Sequence, residues 1–387
     1  MKIFFVARGW PSEREPQWGC FERDQALALN KLGHQIVVLS VDARFRKYYR
    51  KYGITKTIHD GITQYNLFAG SIWGSLLRKF FINVHMKMRR FFFMRLFEKV
   101  IELEGKPDLI YAHYLGSSSM ALTAKRKYGI PVVGIEHWSE LGYDNIKKPI
   151  KKWAGEVYNE LDCLLTVSSA LRDNIKMNFG ISSIVVNNMI SCEFNYVPHE
   201  NTDGVVRFVS TGSLLPVKGF DILINAFSHC SLPLDAWSLE IVGGGKEYDN
   251  LKKLVEENGL KDNIHFLGRK DRDGVISTLR RSDVYVMSSR TETFGVAAVE
   301  ALACGLPVIA TECGGSSDYM NDENGLTCPV DDVYSLSECI LYMFSHYNDF
   351  DREQISKDCL NKFSSTIIAE QLNDIFCRVI NHESITE

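Results

Sequence analysis

Glu292 and Glu300 stand eight residues apart in ETFGVAAVEALACGLPVIAT, separated by a glycine and a run of small residues. In one continuous helix the two carboxylates would lie about 80° apart around the axis, but Gly295 and the β-branched Thr293 oppose such a helix. The spacing predicts a loop holding Glu292, then a helix from about Val296 that carries Glu300 one turn in and is ended by Gly305 and Pro307. Two carboxylates would then flank a helix N-terminus. Amides at such a terminus suit an anion, whereas carboxylates suit hydroxyl groups and repel phosphate. Lys218, at the head of another expected helix in PVKGF, adds a point charge, and His113 and His137 close the apolar runs DLIYAH and PVVGIEH.

The elements that must position these residues are readable on either side of them. KIFFVA, a helix over Phe21 to Leu32 closed by Gly33, and QIVVLS open a βαβ unit. DLIYAH, PVVGIEH and CLLTVS follow, each with a helical segment after it, so the first half reads as doubly wound α/β. A second series begins at VVRFVSTG and continues through SLEIVGGG, NIHFLG, DVYVMSS and LPVIAT. Two such series in 387 residues predict two Rossmann-like domains. Their expected bounds are residues 1–195 and 196–365, with a C-terminal helix over 366–387 packing back on the N-terminal domain. The irregular stretch near 190–204 is the expected hinge.

Apolar and charged contents of 45% and 24% are those of an ordinary globular protein and exclude disordered and fibrous classes. Ten cysteines without a Cys-x-x-Cys pair fit reduced thiols of a cytoplasmic protein, and metal ligation by them is not expected. MKIFFVARGW places only five apolar residues before Arg8, too few for a signal peptide or a membrane span. The net charge of −4 hides an asymmetry: residues 1–190 hold 28 Lys and Arg against 17 Asp and Glu, or +11, while residues 191–387 hold 16 against 31, or −15. A basic half suggests peripheral contact with an anionic membrane, here at the inner face, the bland alternative being an unevenly charged solvated surface. No nucleic-acid partner is expected. From Ser75 to Glu104 basic and aromatic residues are interleaved along one expected long helix, with seven Lys and Arg against one acid between Arg78 and Lys99. That helix reads either as interfacial or as a buried domain helix with snorkelling basic stems.

STGSLLPVKGFDILINAF, LEIVGGGKEYDNLKKLVEENGLKDNIHFLG and DVYVMSSRTETFGVAAVEALACGLPVIATECGG, in that order over roughly residues 205–320, resemble the donor-binding domain of the retaining glycosyltransferase family 4. The resemblance implies the GT-B fold, two Rossmann-like doubly wound domains facing a central cleft. It also implies transfer of a hexosyl unit from a nucleoside-diphosphate sugar, with no metal and no separate cofactor. Glu292-x7-Glu300 matches the family's mark, and Lys218-Gly219 its phosphate-contacting lysine. The chemistry agrees, because a departing diphosphate needs its charge neutralised without a proton, by Lys218 and by amides near Gly295 and Val296. By resemblance Glu300 accepts from the ribose hydroxyls and Glu292 contacts the transferred sugar, with Glu292, Lys218 and His137 as the catalytic set. Gly212, Ser213, Arg269 and Phe294 complete the expected donor contacts. Ser213 departs from the family, which usually has an arginine five residues before the lysine; Arg290, Arg269 or Arg8 is the expected substitute, the alternative being a lower donor affinity.

PSEREPQWGCFERDQALALNKLGHQIVVLS resembles the family's first loop and helix, which puts Trp18 and Gly19 on the acceptor side. IPVVGIEHWSE resembles the strand whose terminal histidine, here His137, hydrogen-bonds the transferred sugar, and Trp138 and His113 join the acceptor group. The expected acceptor is a glycan or lipid-linked glycan of capsule, exopolysaccharide or O-antigen assembly. An inactive scaffold, suggested by Ser213, and a sugar-nucleotide epimerase are the alternatives. Two motifs are discounted. IVGGGKEYDN lacks the third glycine of a dinucleotide fingerprint, and in DRD at 271–273 Asp273 is expected to cap a helix rather than bind metal.

Overall fold

The apolar runs become strands whose buried faces are nearly continuous, as a parallel sheet covered on both sides requires. The computed structural model describes residues 1–15, 18–44, 50–70, 82–138, 146–198 and 203–383. They form two compact units, Met1–Met189 with Ser365–Glu387, and Ile190–Ser364.

The first unit carries β1 (Lys2–Val6), β2 (Gln35–Asp42), β3 (Gly53–His59), β4 (Ile62–Phe68), β5 (Leu109–His113), β6 (Val132–Glu136), β7 (Cys163–Thr166) and β8 (Ile184–Val185). Their order is β3-β4-β2-β1-β5-β6-β7-β8, parallel except for the β3–β4 pair. That antiparallel hairpin is absent from the sequence reading. Its turn is Asp60-Gly61, both at positive φ (53° and 77°), the two-residue geometry that Asp-Gly favours.

Helix Ile82–Glu104 holds the described part of the basic–aromatic segment and divides it into a buried and an exposed face. Met86, Phe93, Leu96, Phe97 and Val100 recur at helical spacing and are buried, the last four in the core with Phe4, Val37 and Ile110. Burying Phe93, Leu96, Phe97 and Val100 stabilises by roughly 6–12 kcal/mol relative to exposure. This face therefore belongs to the domain core. Lys87, Phe91, Arg95 and Lys99 form the exposed stripe, while Arg78 and Lys79 lie outside the described residues. The final helix, Ser365–Ile380, packs on helix Cys20–Lys31 and sets Phe376 edge-on to Tyr111 at 4.9 Å.

The second unit holds β9 (Val206–Thr211), β10 (Trp237–Val242), β11 (Ile264–Gly268), β12 (Val284–Met287), β13 (Val308–Thr311) and β14 (Gly325–Cys328), all parallel in the order β11-β10-β9-β12-β13-β14. The units divide after Met189, not at residue 195. Ile190 N–H donates to the Phe363 carbonyl at 2.7 Å and Arg280 bonds the Glu193 carbonyl at 3.0 Å, which ties residues 190–195 to the second unit. Asp271, not Asp273, caps helix Arg272–Arg280, accepting from Gly274 N–H at 2.9 Å.

Candidate active site

In the second unit the side chains gather at the C-terminal ends of parallel strands, where open α/β sheets bind ligands. Lys218 ends a one-turn 3-10 segment, Pro216–Lys218, directly before helix Phe220–His229. Gly219 joins them at φ 62°, and a Cβ there would sit 2.0 Å from the Ser288 carbonyl oxygen. Only glycine lets this turn press against the end of β12.

Glu292 and Lys218 meet in that space. Lys218 Nζ lies 2.5 Å from Glu292 Oε1, which also accepts from Ser289 Oγ at 2.8 Å. Gly314 brings the following turn against the Glu292 backbone, since a Cβ would stand 1.7 Å from the Glu292 carbonyl oxygen. The helix carrying Glu300 runs Val296–Ala303 and has no side-chain cap. Gly295 precedes it at φ 93°, beneath the Tyr319 hydroxyl, which would be 2.4 Å from an added Cβ. Both glutamates act on the buried Tyr285 phenol, adding to the rise in its pKa that burial causes first. Glu292 thus lies in the loop before an uncapped helix N-terminus and Glu300 on that helix, both near enough to the Tyr285 phenol to act on it.

The neighbouring glycines shape the other wall. A Cβ on Gly243 would stand 1.8 Å from the Gly212 carbonyl oxygen, and one on Gly245 would stand 2.2 Å from that of Leu214. The discounted triple glycine is therefore what lets the loop of Gly212 and Ser213 lie on the end of β10. Among the expected substitutes for the missing arginine, Arg290 is committed. It binds Asp221 in a bidentate pair at 2.9 and 2.8 Å, Asp331 at 2.6 Å and the Pro216 carbonyl at 2.5 Å, bracing the Lys218 turn. Arg269 is exposed, leans on Gly244 and makes no ion pair among the described residues. Phe294 corrects one expectation: its ring is 1% exposed between Tyr319 and Phe363 at 5.6 and 5.5 Å. It anchors the loop from inside, leaving only its backbone to face a ligand.

In the first unit Arg8, Tyr114 and His137 follow β1, β5 and β6. Arg8 pairs with the fully buried Glu22 at 2.8 Å and lies 3.9 Å over the Tyr114 ring. Trp18 donates Nε1–H to the Arg8 carbonyl at 3.1 Å and carries the Arg44 guanidinium 3.4 Å above its ring. Arg8 is therefore held by Glu22, and Trp18 is part of a cation–aromatic cluster. Gly19, at φ 82°, packs against the Gly9 carbonyl, 2.4 Å from where a Cβ would be. Tyr114 sits at φ 69°, a costly conformation for an aromatic residue.

His137 is 8% exposed and His113 fully buried. Burial lowers the pKa of both imidazoles, that of His113 to about 3, so both rings are neutral at pH 7. His113 consequently has no exposed atom to offer an acceptor; its partner is His137, with His113 Nδ1 3.3 Å from His137 Nε2. Trp138 is half-buried. Its N–H and that of His137 donate to Glu136 Oε1 at 2.9 and 3.0 Å, while Leu115 N–H and Tyr158 O–H donate to Oε2 at 2.8 and 2.7 Å. This buried carboxylate fixes the loop after β6 to the helix after β5. The sequence reading passed over Glu136 and Glu22; an acid inside or beside an apolar strand run was their signal.

Two α/β units of this topology, one with paired glutamates and a lysine at its strand ends, define a glycosyltransferase of the GT-B class. Residues 196–357 match the family described as Glycosyl transferases group 1, and residues 23–194 match Glycosyltransferase Family 4. An uncharacterized glycosyltransferase of Methanocaldococcus jannaschii is 32% identical over 256 residues, 64% of this chain and 68% of that protein. The chain belongs to this glycosyltransferase family. A GDP-mannose-dependent monoacylated alpha-(1-6)-phosphatidylinositol monomannoside mannosyltransferase of Corynebacterium glutamicum is 28% identical over 57% of this chain and 63% of its own length. Sucrose-phosphate synthase of Thermosynechococcus elongatus shares the fold, with a TM-score of 0.79, 17% identity and coverage of 99% and 100% of the two chains.

Proposed function

We propose that the protein transfers a hexosyl unit, with retention, from a nucleoside-diphosphate sugar to an acceptor hydroxyl. The observation that carries this reading is the Lys218–Glu292 pair beside the uncapped N-terminus of Val296–Ala303, the helix that bears Glu300. In it, Lys218 and the helix amides take the diphosphate, stabilising charge as the glycosidic bond breaks. Glu300 accepts from the ribose, and Glu292, released from Lys218, accepts from sugar hydroxyls. Arg269 supplies the second cation that Ser213 lacks. The diphosphate leaving group helps to deprotonate the incoming hydroxyl, and no metal is required.

The acceptor proposed is a lipid-linked glycan at a membrane surface. The corynebacterial relative, a phosphatidylinositol monomannoside mannosyltransferase, supports that acceptor class. So does the face around helix Lys148–Tyr158. Lys147, Lys148, Lys151 and Lys152 are exposed there. Trp153 and Arg90 share Ser119 Oγ, at 3.3 and 3.0 Å, so this helix adjoins the one bearing Lys87, Phe91 and Arg95. No helix among the described residues is long and apolar enough to cross a membrane, which restricts those residues' proposed contact to the surface.

The test is thermal stabilisation by UDP, GDP, ADP, CMP and their common sugars, repeated with Glu300→Ala. One nucleoside diphosphate should stabilise the protein, and the variant should lose most of that shift. No stabilisation by any nucleotide would favour the alternative that Ser213 motivates, a non-catalytic binding subunit.

A further inference from the structure

The two ends of the first sheet differ. β8, at one end, is two residues long, whereas β3, at the other, runs seven residues and pairs one to one with β4. Sheet edges of that length are ordinarily blunted by a proline, a bulge or an unpaired charge. β3 has neither proline nor bulge, and Ile54 and Ile58 stand 40% and 65% exposed on it. The charge at its centre is already neutralised: Lys56 Nζ lies 2.9 Å from Glu104 Oε1, which also accepts from the Tyr65 hydroxyl.

The turn fixes which backbone groups this edge presents. The two-residue turn at Asp60-Gly61 closes on a hydrogen-bonded pair, His59 with Ile62, and such pairs alternate along an antiparallel ladder. Gly53, Thr55, Thr57 and His59 therefore turn N–H and C=O toward β4, while Ile54, Lys56 and Ile58 turn theirs outward. Among the described residues no backbone bond takes up these outward groups. The matching occupant is another strand, and the sequence indicates which. Ile54-Thr55-Lys56-Thr57-Ile58 reads the same in both directions. In an antiparallel pairing of two copies about Lys56, Ile54 falls opposite Ile58 of the second copy and Thr55 opposite its Thr57. All three outward residues then meet outward residues. A slip of one residue sets them against groups already bonded to β4, and a slip of two leaves one of the three without its match. The two Lys56 side chains face each other in this register, a repulsion that each chain's own Glu104 offsets.

We propose that the chain forms a homodimer by antiparallel pairing of β3 with β3 of a second copy, centred on Lys56, which joins the two eight-stranded sheets into one. The interface is isologous and uses the same edge of both copies, so it closes at two. The Ile54–Ile58 contacts cover side chains that the single chain leaves in water. The dimer is independent of the proposed glycosyl transfer.

The test is analytical ultracentrifugation of the full chain across the micromolar range, together with hydrogen–deuterium exchange of the Ile54, Lys56 and Ile58 amides. The wild type should sediment as two 44.0-kDa chains, and those amides should exchange severalfold more slowly as concentration rises through the association. Ile54→Lys combined with Ile58→Lys puts charges on the seam and should give a monomer. Lys56→Pro should do the same, because the N–H it removes faces the open edge and makes no bond within the chain. Unchanged far-ultraviolet circular dichroism would show that both variants fold. A monomeric or higher-order wild type overturns the proposal. So does a dimer whose three amides exchange at a rate independent of concentration, or one that both folded variants retain. Where a variant does not fold, the wild-type exchange decides.

Discussion

Lys218 and Glu292, which the proposed reaction assigns to opposite parts of the sugar donor, are joined to each other at 2.5 Å. Their side chains are 28% and 14% exposed, so the pair is partly desolvated and reachable by a ligand. An arriving diphosphate offers Lys218 a stronger partner and frees Glu292 for hydroxyls.

Substituting each member should therefore separate the two ends of the ligand. Lys218→Ala should weaken nucleoside-diphosphate binding and lower kcat by about 100-fold or more, the scale of losing one charge stabiliser in a preorganised site. Glu292→Gln should leave binding of the sugar-free diphosphate equal or tighter, because Lys218 is released, while lowering turnover. Calorimetry with the diphosphate and steady-state rates with its sugar would check both. Weaker diphosphate binding in Glu292→Gln would contradict the exchange.

Arg269 and Arg290 should behave differently although both were expected substitutes for the missing arginine. Arg269→Ala should raise the nucleotide Kd about tenfold, equivalent to about 1.4 kcal/mol, with no change in melting temperature. Arg290→Ala breaks the pairs with Asp221 and Asp331 and the bond to the Pro216 carbonyl. It should lower the melting temperature as well as the affinity, since the Lys218 turn loses its brace. Equal effects on affinity with neither changing stability would argue against this division.

The sequence made the donor half more legible than the acceptor half, for a physical reason. Glu292 and Glu300 lie eight residues apart in one turn and the short helix after it, and Lys218, 74 residues from Glu292, was legible through its own turn before Gly219 rather than through the pair it forms. The helix after Gly295 begins at Val296, as its spacing predicts, and ends at Ala303. The first unit's cluster joins residues from four separate strand ends, so no local spacing announces it. Glu22 and Arg8 are 14 residues apart, and His113 and His137 are 24 apart. Nothing periodic distinguishes a buried, partnered histidine from an exposed one. The hairpin over β3 and β4 was hidden because β3 is an exposed edge strand, although Asp60-Gly61 was a usable turn signal. The reading of Arg290 failed because its partners, Asp221 and Asp331, are remote in sequence.

The buried imidazoles give stability a defined pH dependence. His113 and His137 have pKa values below the ordinary 6.5, owing first to burial. Unfolding lets them take up protons, so their contribution is fully present above pH 6.5 and is lost as pH falls towards the folded values. The slope is about 1.4 kcal/mol per pH unit for each imidazole. Glu136 acts in the opposite sense, because burial raises its pKa and its contribution is lost as pH rises. The comparison that isolates His113 is the difference in denaturant stability between wild type and His113→Leu from pH 7 to 5. That difference should shift by about 1.4 kcal/mol per pH unit below 6.5, the wild type losing stability faster. Parallel curves would mean that His113 is protonated in the folded protein.

The proposed membrane contact uses residues the core does not need. Arg90 donates to Ser119 Oγ at 3.0 and 2.6 Å and is half-buried, so its charge is not free to meet a headgroup. Lys148, Lys151 and Lys152 are exposed on one short helix. Neutralising these three together should weaken binding to phosphatidylserine or phosphatidylglycerol vesicles by about 3 kcal/mol, at about 1 kcal/mol for each lysine near an anionic surface. Arg90→Gln should have a smaller effect on vesicle binding and a larger one on stability, because it removes the bond to Ser119. Phosphatidylcholine vesicles serve as the control, and higher salt should erase most of the difference. If the triple variant binds anionic vesicles as the wild type does while Arg90→Gln does not, the helix at 148–158 is not the contact and the lipid-linked acceptor loses its structural support.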